Sequence, residues 1–168
     1  TPTRNRKYIS STLSSNVYMG KQNQYIAQLE KLLTHLKSAK LRYLKAADHA
    51  NTSEEKRYFN QEALLRNRYF QEAFSEIQTL GMSYEDLEVS GFNFNQLLIS
   101  SIDTLKATAL EKCIEVDKML IEIYQNIMGF KSEFSSIQSN LNRLLEAAEK
   151  NKALVENFQA EKEADPLY

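Results

Sequence analysis

The chain has 168 residues, 42% of them hydrophobic, with 21 Lys and Arg against 22 Asp and Glu, a formal net charge of −1. That length and apolar share suit one domain with one continuous core, and the near-neutral balance leaves no electrostatic footprint for nucleic acid. Only 4 Gly and 2 Pro exclude β-sandwich and α/β plans, which need many turn residues, so the expected fold class is all-α.

Residues 1–23 are polar, carry Arg4, Arg6, Lys7 and Lys21 without an acidic residue, and cannot bury enough surface to fold alone. They read as a flexible basic arm. From residue 24 the pattern turns helical, with Ile26, Leu29, Leu33, Leu36, Ala39, Tyr43 and Ala47 on one face; a helix over about 24–50 follows. Thr52-Ser53-Glu54-Glu55 has the form of a capping box that opens a second helix over 53–80. Its stripe is Phe59, Ala63, Phe70, Ala73, Phe74, Ile77 and Leu80, with Tyr58 and Tyr69 alongside, and Gly81 stands at the C′ position. The short connection makes these two helices antiparallel.

The stretch 81–95 holds Met82, Tyr84, Leu87, Val89, Phe92 and Phe94 and is too long for a tight turn, so it reads as a crossover. A third helix is expected over 95–128, with Leu98, Ile102, Leu105, Ala109, Cys113, Val116, Leu120, Ile123 and Ile127 inward and Gly129 at its end. A fourth is expected over 132–160, capped by Ser132, with Phe134, Ile137, Leu141, Leu144, Ala148, Val155 and Phe158 inward. Residues 161–168 form a charged tail. Two hairpins joined by one long crossover is the ferritin-like connectivity, so the expected architecture is a ferritin-like antiparallel four-helix bundle over 24–160.

The order of several motifs resembles the bacterial YciF-type ferritin-like proteins. They are Leu29-Glu30-Lys31-Leu32-Leu33, Tyr43-Leu44-Lys45-Ala46-Ala47-Asp48 and Phe70-Gln71-Glu72-Ala73-Phe74-Ser75-Glu76-Ile77, then Leu110-Glu111-Lys112-Cys113-Ile114-Glu115-Val116-Asp117 with Tyr124 beyond. The resemblance covers roughly residues 25–158 and implies a fold, and a bacterial stress association, rather than an activity. A di-iron bundle needs Glu-x-x-His on two helices. This chain has none: His35 and His49 follow Leu32 and Ala46 at that spacing. If a carboxylate site for iron or manganese exists, its candidates are Glu62, Glu72, Glu111, Glu115, Glu146 and Glu149, although acidic residues one turn apart beside lysines are ordinarily a solvated face.

No catalytic residues are expected. Cys113 lies on an apolar stripe and reads as an inert core thiol, and no phosphate loop, zinc spacing or nucleophile elbow is present. A lone helix histidine beside lysines is ordinarily exposed rather than a haem ligand. The single cysteine precludes an internal disulfide, residues 1–21 lack the apolar run of a secretion signal, and no run of about 18 apolar residues crosses a membrane; cytoplasm is the expected location. Tyr58 and Tyr69 widen the second helix's apolar edge, which suggests a homodimer. The leading expectation is a non-enzymatic, stress-related or protein-interaction bundle without cofactor. The alternatives are a metal-binding ferritin relative with a degenerate carboxylate site, and a helical adaptor for a peptide or membrane surface.

Overall fold

A computed structural model describes the backbone of residues 2–87, 106–130 and 135–164 and the side chains of 20–83, 85–87, 109–130 and 135–161. Among these residues the chain is all-helical with no strand. Four α-helices, α1 (Pro2–Asp48), α2 (Ser53–Thr79), α3 (Lys106–Met128) and α4 (Ile137–Ala164), are joined by loops that include a 3-10 turn, Tyr84–Asp86. No described helix is long and apolar enough to cross a membrane.

The first helix starts earlier than the expected position near residue 24: α1 begins at Pro2 and so takes in the segment read as an arm. Proline suits the first helical position, where its missing N–H would have no partner, and no further Gly or Pro interrupts the chain before Gly20. Composition argues that the segment cannot fold alone, but extending an existing helix costs far less than nucleating a new one.

The start of α2 follows the sequence closely. Thr52 is extended (φ −121°, ψ 153°), and its hydroxyl accepts the Glu55 amide at 3.1 Å. The Glu55 carboxylate reaches back to the Asn51 amide at 3.3 Å, one residue earlier than a standard capping box. Thr52→Ala is expected to cost about 1 kcal/mol, read as a lower urea midpoint with an unchanged slope; an unmoved midpoint would mean the cap contributes nothing. At the other end Gly81 takes φ +84°, the region only glycine enters freely. Its amide bonds to Gln78 O at 3.0 Å and the Met82 amide to Ile77 O at 3.4 Å, the paired bonds of a Schellman stop.

Met82 and Leu87 pack against the core. The expected crossover beyond residue 87, the third helix's expected start at 95 with Leu98, Ile102 and Leu105, and the Ser132 cap with Phe134 lie outside the described residues. α3 stops at Met128, and Gly129 closes back onto Asn126 O at 3.1 Å. α4 enters through Ser136, whose carbonyl accepts the Asn140 amide at 2.9 Å.

Two buried clusters form the core. One joins Leu29, Leu33 and Leu36 of α1 to Tyr69, Ala73 and Ile77 of α2, Leu120 and Ile127 of α3, and Leu141 and Leu144 of α4. The other joins Tyr43, Ala46 and Ala47 to Phe59 and Ala63, to Ala109, Leu110 and Cys113, and to the half-buried Leu154, Val155 and Phe158. Each fully buried leucine contributes roughly 1.5–3 kcal/mol relative to an exposed one. The α2 stripe is rotated from the expected one: Tyr69 is 1% exposed and Tyr58 8%, while Phe70 and Phe74 are only half-buried. The apolar edge that suggested a homodimer is therefore inside this chain. α1 packs closely on α2 and α3, and α4 on α3; the remaining seam, between α2 and α4, is bridged by side chains.

Candidate functional site

The polar centre lies between the two apolar clusters and takes one or more residues from every helix. Arg66 of α2 and Asp117 of α3 are each 1% exposed. Arg66 Nε donates to Asp117 Oδ1 at 3.2 Å and Nη2 to Oδ2 at 2.7 Å, the paired geometry that makes guanidinium–carboxylate contacts strong. Nη2 also reaches the Tyr43 hydroxyl at 3.1 Å, and Nη1 donates to the Glu62 carbonyl at 3.0 Å and to Glu62 Oε2 at 2.5 Å. These contacts give all five guanidinium N–H groups an acceptor. The guanidinium also lies over the Tyr43 ring, 4.1 Å from its centroid.

Tyr43 carries the network onward. Its hydroxyl donates to Asp117 Oδ2 and accepts from Asn151 Nδ2 of α4 at 2.7 Å. Asn151, fully buried, accepts in turn from the Tyr58 hydroxyl at 2.9 Å. The chain Tyr58, Asn151, Tyr43, Asp117, Arg66, Glu62 is thus continuous. Burial alone would lower the Arg66 pKa, but Asp117, then Tyr43 and Glu62, outweigh it and raise it, so the guanidinium stays charged. Burial raises the Tyr43 pKa well above its ordinary value, with Asp117 adding to the rise and Arg66 opposing it. Cys113, one turn before Asp117, is fully buried, and its pKa is raised by burial first and by the Asp117 charge second. A thiol held protonated in this way is a poor nucleophile.

A second polar group closes the opposite half of the α2–α4 seam. Glu72 accepts from Ser136 Oγ at 3.0 Å and from Asn140 Nδ2 at 2.8 Å, so its carboxylate sits at the N-terminus of α4, where the helix dipole favours an anion. Asn140 also reaches the Tyr124 hydroxyl at 3.5 Å.

The six candidate carboxylates are not brought together. Glu111, Glu115, Glu146 and Glu149 are exposed, Glu62 is held by Arg66, and Glu72 serves α4. Among the described residues no group of three or more His, Cys, Asp or Glu is placed to hold a metal ion. The histidines are half-buried rather than exposed: His35 Nδ1 lies 2.8 Å from Lys31 O, and His49 Nε2 is buried without a hydrogen-bond partner among the described residues.

The central residues other than Glu62 carry no recognised chemical motif, yet the pattern does mark them. On α2 the expected stripe jumps from Ala63 to Phe70, and Arg66 fills that gap at helical spacing. On α4 it jumps from Ala148 to Val155, and Asn151 fills the gap. A polar residue on an otherwise apolar stripe signals a buried partner. No family model, curated protein or solved structure matches the chain.

Proposed function

We propose that this chain is a ferritin-like bundle of the YciF type that works by binding rather than by catalysis, with a guanidinium at the place where di-iron bundles hold their metals. One observation carries the reading: Arg66 is buried at the centre and occupies the acceptors, Asp117 and Glu62, that a metal would need. A unit charge about 4 Å from another unit charge repels it by roughly 4 kcal/mol at an effective dielectric of 20, and a dication meets twice that. A metal at this centre would have to displace Arg66 rather than join it.

The grouping of the core residues supports the ferritin-like connectivity. The C-terminal part of α1 shares a cluster with the N-terminal parts of α2 and α3 and with the C-terminal part of α4. That fits two antiparallel hairpins with α2 and α3 parallel, joined by one long crossover. The buried, protonated Cys113 and the internally paired polar centre favour a binding role over chemistry.

Calorimetric titration with Mn(II), and with Fe(II) under anaerobic conditions, tests the reading. No stoichiometric binding is expected from the protein as it stands. Tight binding that is lost in Asp117→Asn or Glu62→Gln would overturn it and make the chain a metalloprotein.

A further inference from the structure

α1 is longer than the core it serves. Its first residue in either buried cluster is Tyr25, whose hydroxyl donates to Glu76 at 2.9 Å, close to the end of α2 at Thr79. Because the two helices are antiparallel, the part of α1 from Pro2 to Gln24 runs on past the end of α2, about 34 Å of helix at 1.5 Å per residue. Lys21, Asn23 and Gln24 are exposed, and a continuous helix cannot turn back onto its own bundle. Extension removes the cost of nucleation, yet Ser10, Ser11, Thr12, Ser14, Ser15 and Gly20 are weak helix formers, and helices in water draw most of their stability from packing an apolar face. The segment has such a face: Ile9, Leu13 and Val17 recur every four residues. At 3.6 residues per turn they sit well round the helix from Leu29, Leu33 and Leu36, so they do not continue the core stripe.

The α2–α4 seam is the complementary surface. Its depression of about 350 Å³ is lined by Leu65, Ala147 and Tyr58, with Arg143 and Lys150 standing against Glu62 and Glu146, so its charges balance and select no small ion. Leu64 of α2, 68% exposed, and Leu145 of α4, 44% exposed, are apolar side chains on the same two helices that this chain leaves uncovered. Glu149 and Glu156 are exposed two turns apart in the second half of α4, with Glu161 beyond them. The first turns of α1 carry Arg4, Arg6 and Lys7 and no acidic residue. The helix dipoles reinforce both signs, positive at the start of α1 and negative at the end of α4.

We infer that the projecting half of α1 docks on the α2–α4 seam of a second copy of this chain, in a two-fold exchange. Two bundles related by a two-fold axis at the end from which α1 projects set each projecting helix antiparallel to the other copy's α4. That direction carries the basic tip of α1 toward the acidic half of α4 and brings the Ile9, Leu13 and Val17 face to the seam. A helix about 10 Å wide and 34 Å long covers roughly 340 Å², so two of them, counting both surfaces, bury on the order of 1,400 Å², the size of a stable interface. A stripe this narrow suits a seam between two helices, whereas a membrane surface selects a wide face rich in Trp, Phe and Leu. The inference goes beyond the metal-free reading of the centre and does not depend on it, since metal titration reads Asp117 and Glu62 whatever the oligomeric state.

Sedimentation velocity of the full chain over a concentration series is the test, with a dimer expected in the micromolar range. I9S/L13S/V17S should weaken association by about tenfold or more and keep the wild-type melting temperature at dilutions where both proteins are monomeric. R4E/R6E/K7E and E149K/E156K should each weaken association by setting like charges together. An equimolar mixture of those two variants should recover the wild-type affinity, which damage to the fold of either one could not produce. A monomer at every concentration, including one that binds vesicles of anionic phospholipid instead, would overturn the inference. So would a dimer indifferent to I9S/L13S/V17S, or a mixture that associates no better than its components.

Discussion

Asp117→Ala is expected to lower the unfolding free energy by roughly 3–5 kcal/mol, because it leaves the Arg66 guanidinium buried without its counter-charge. For a chain of this size that corresponds to a melting temperature lower by roughly 6–20 °C. The size of the loss reflects desolvation more than attraction. Arg66 is 1% exposed and stacked on Tyr43, so it cannot regain water without opening the seam between α1 and α2. Removing both charges separates the two effects. In R66M/D117L the buried pair leaves together, and only Glu62, whose side chain is 16% exposed, loses a counter-charge; a buried ion pair replaced by apolar groups of similar volume is often neutral or stabilising. What remains is the Tyr43 hydroxyl, which loses its acceptor on Asp117, a stranded donor worth roughly 1–3 kcal/mol. Adding Tyr43→Phe should recover none of it, because it removes the acceptor of the fully buried Asn151 Nδ2 and so exchanges one stranded donor for another. Urea unfolding followed by helical circular dichroism measures all three variants. An Asp117→Ala loss below about 1 kcal/mol would mean that Arg66 finds water or another acceptor, and that the pair does not hold the centre together.

The helical architecture was legible because its signals are local. The Thr52 cap and the Gly81 stop depend on residues within one turn, and both lie where the sequence puts them. The inward positions Ala109, Cys113, Val116, Leu120, Ile123 and Ile127 of α3 follow from periodicity alone. The centre was not legible in the same way, because the partnership of Arg66 with Asp117 links residues 51 positions apart, and no local spacing encodes which buried cation meets which buried anion. The α2 face went wrong by about one residue, as Tyr69 rather than Phe70 enters the core. Phenylalanine is the more apolar residue, but helix rotation is set by the whole stripe, and Arg66 and Ala73 turn inward together with Tyr69. The start of α1 was placed too late for another reason: composition measures whether a segment folds alone, not whether it extends a helix already formed.

The buried tyrosines give the bundle an expected alkaline limit. Burial is the first cause raising the pKa of Tyr43, Tyr58 and Tyr124. Asp117 adds to the rise at Tyr43, Glu62 at Tyr58 and Glu72 at Tyr124, while Asn140 opposes it at Tyr124. A phenol whose folded pKa lies above its unfolded value keeps its proton in the folded chain and loses it in the unfolded one. The contribution to stability is therefore complete below about pH 10, the unfolded value, and is lost as pH climbs from there toward the folded values. Each such tyrosine removes about 1.4 kcal/mol per pH unit over that interval, so three remove about 4. The part of the tyrosinate absorbance that these three of the nine tyrosines contribute should then rise together with the loss of helical circular dichroism, above about pH 10. Tyr124→Phe, which leaves the Arg66–Asp117 pair in place, should flatten the slope by about one proton. If these tyrosines instead ionise near pH 10 while the helices stay intact, water reaches the hydroxyls of the native bundle. The dry, internally paired centre on which the Asp117→Ala expectation rests would then fail with it.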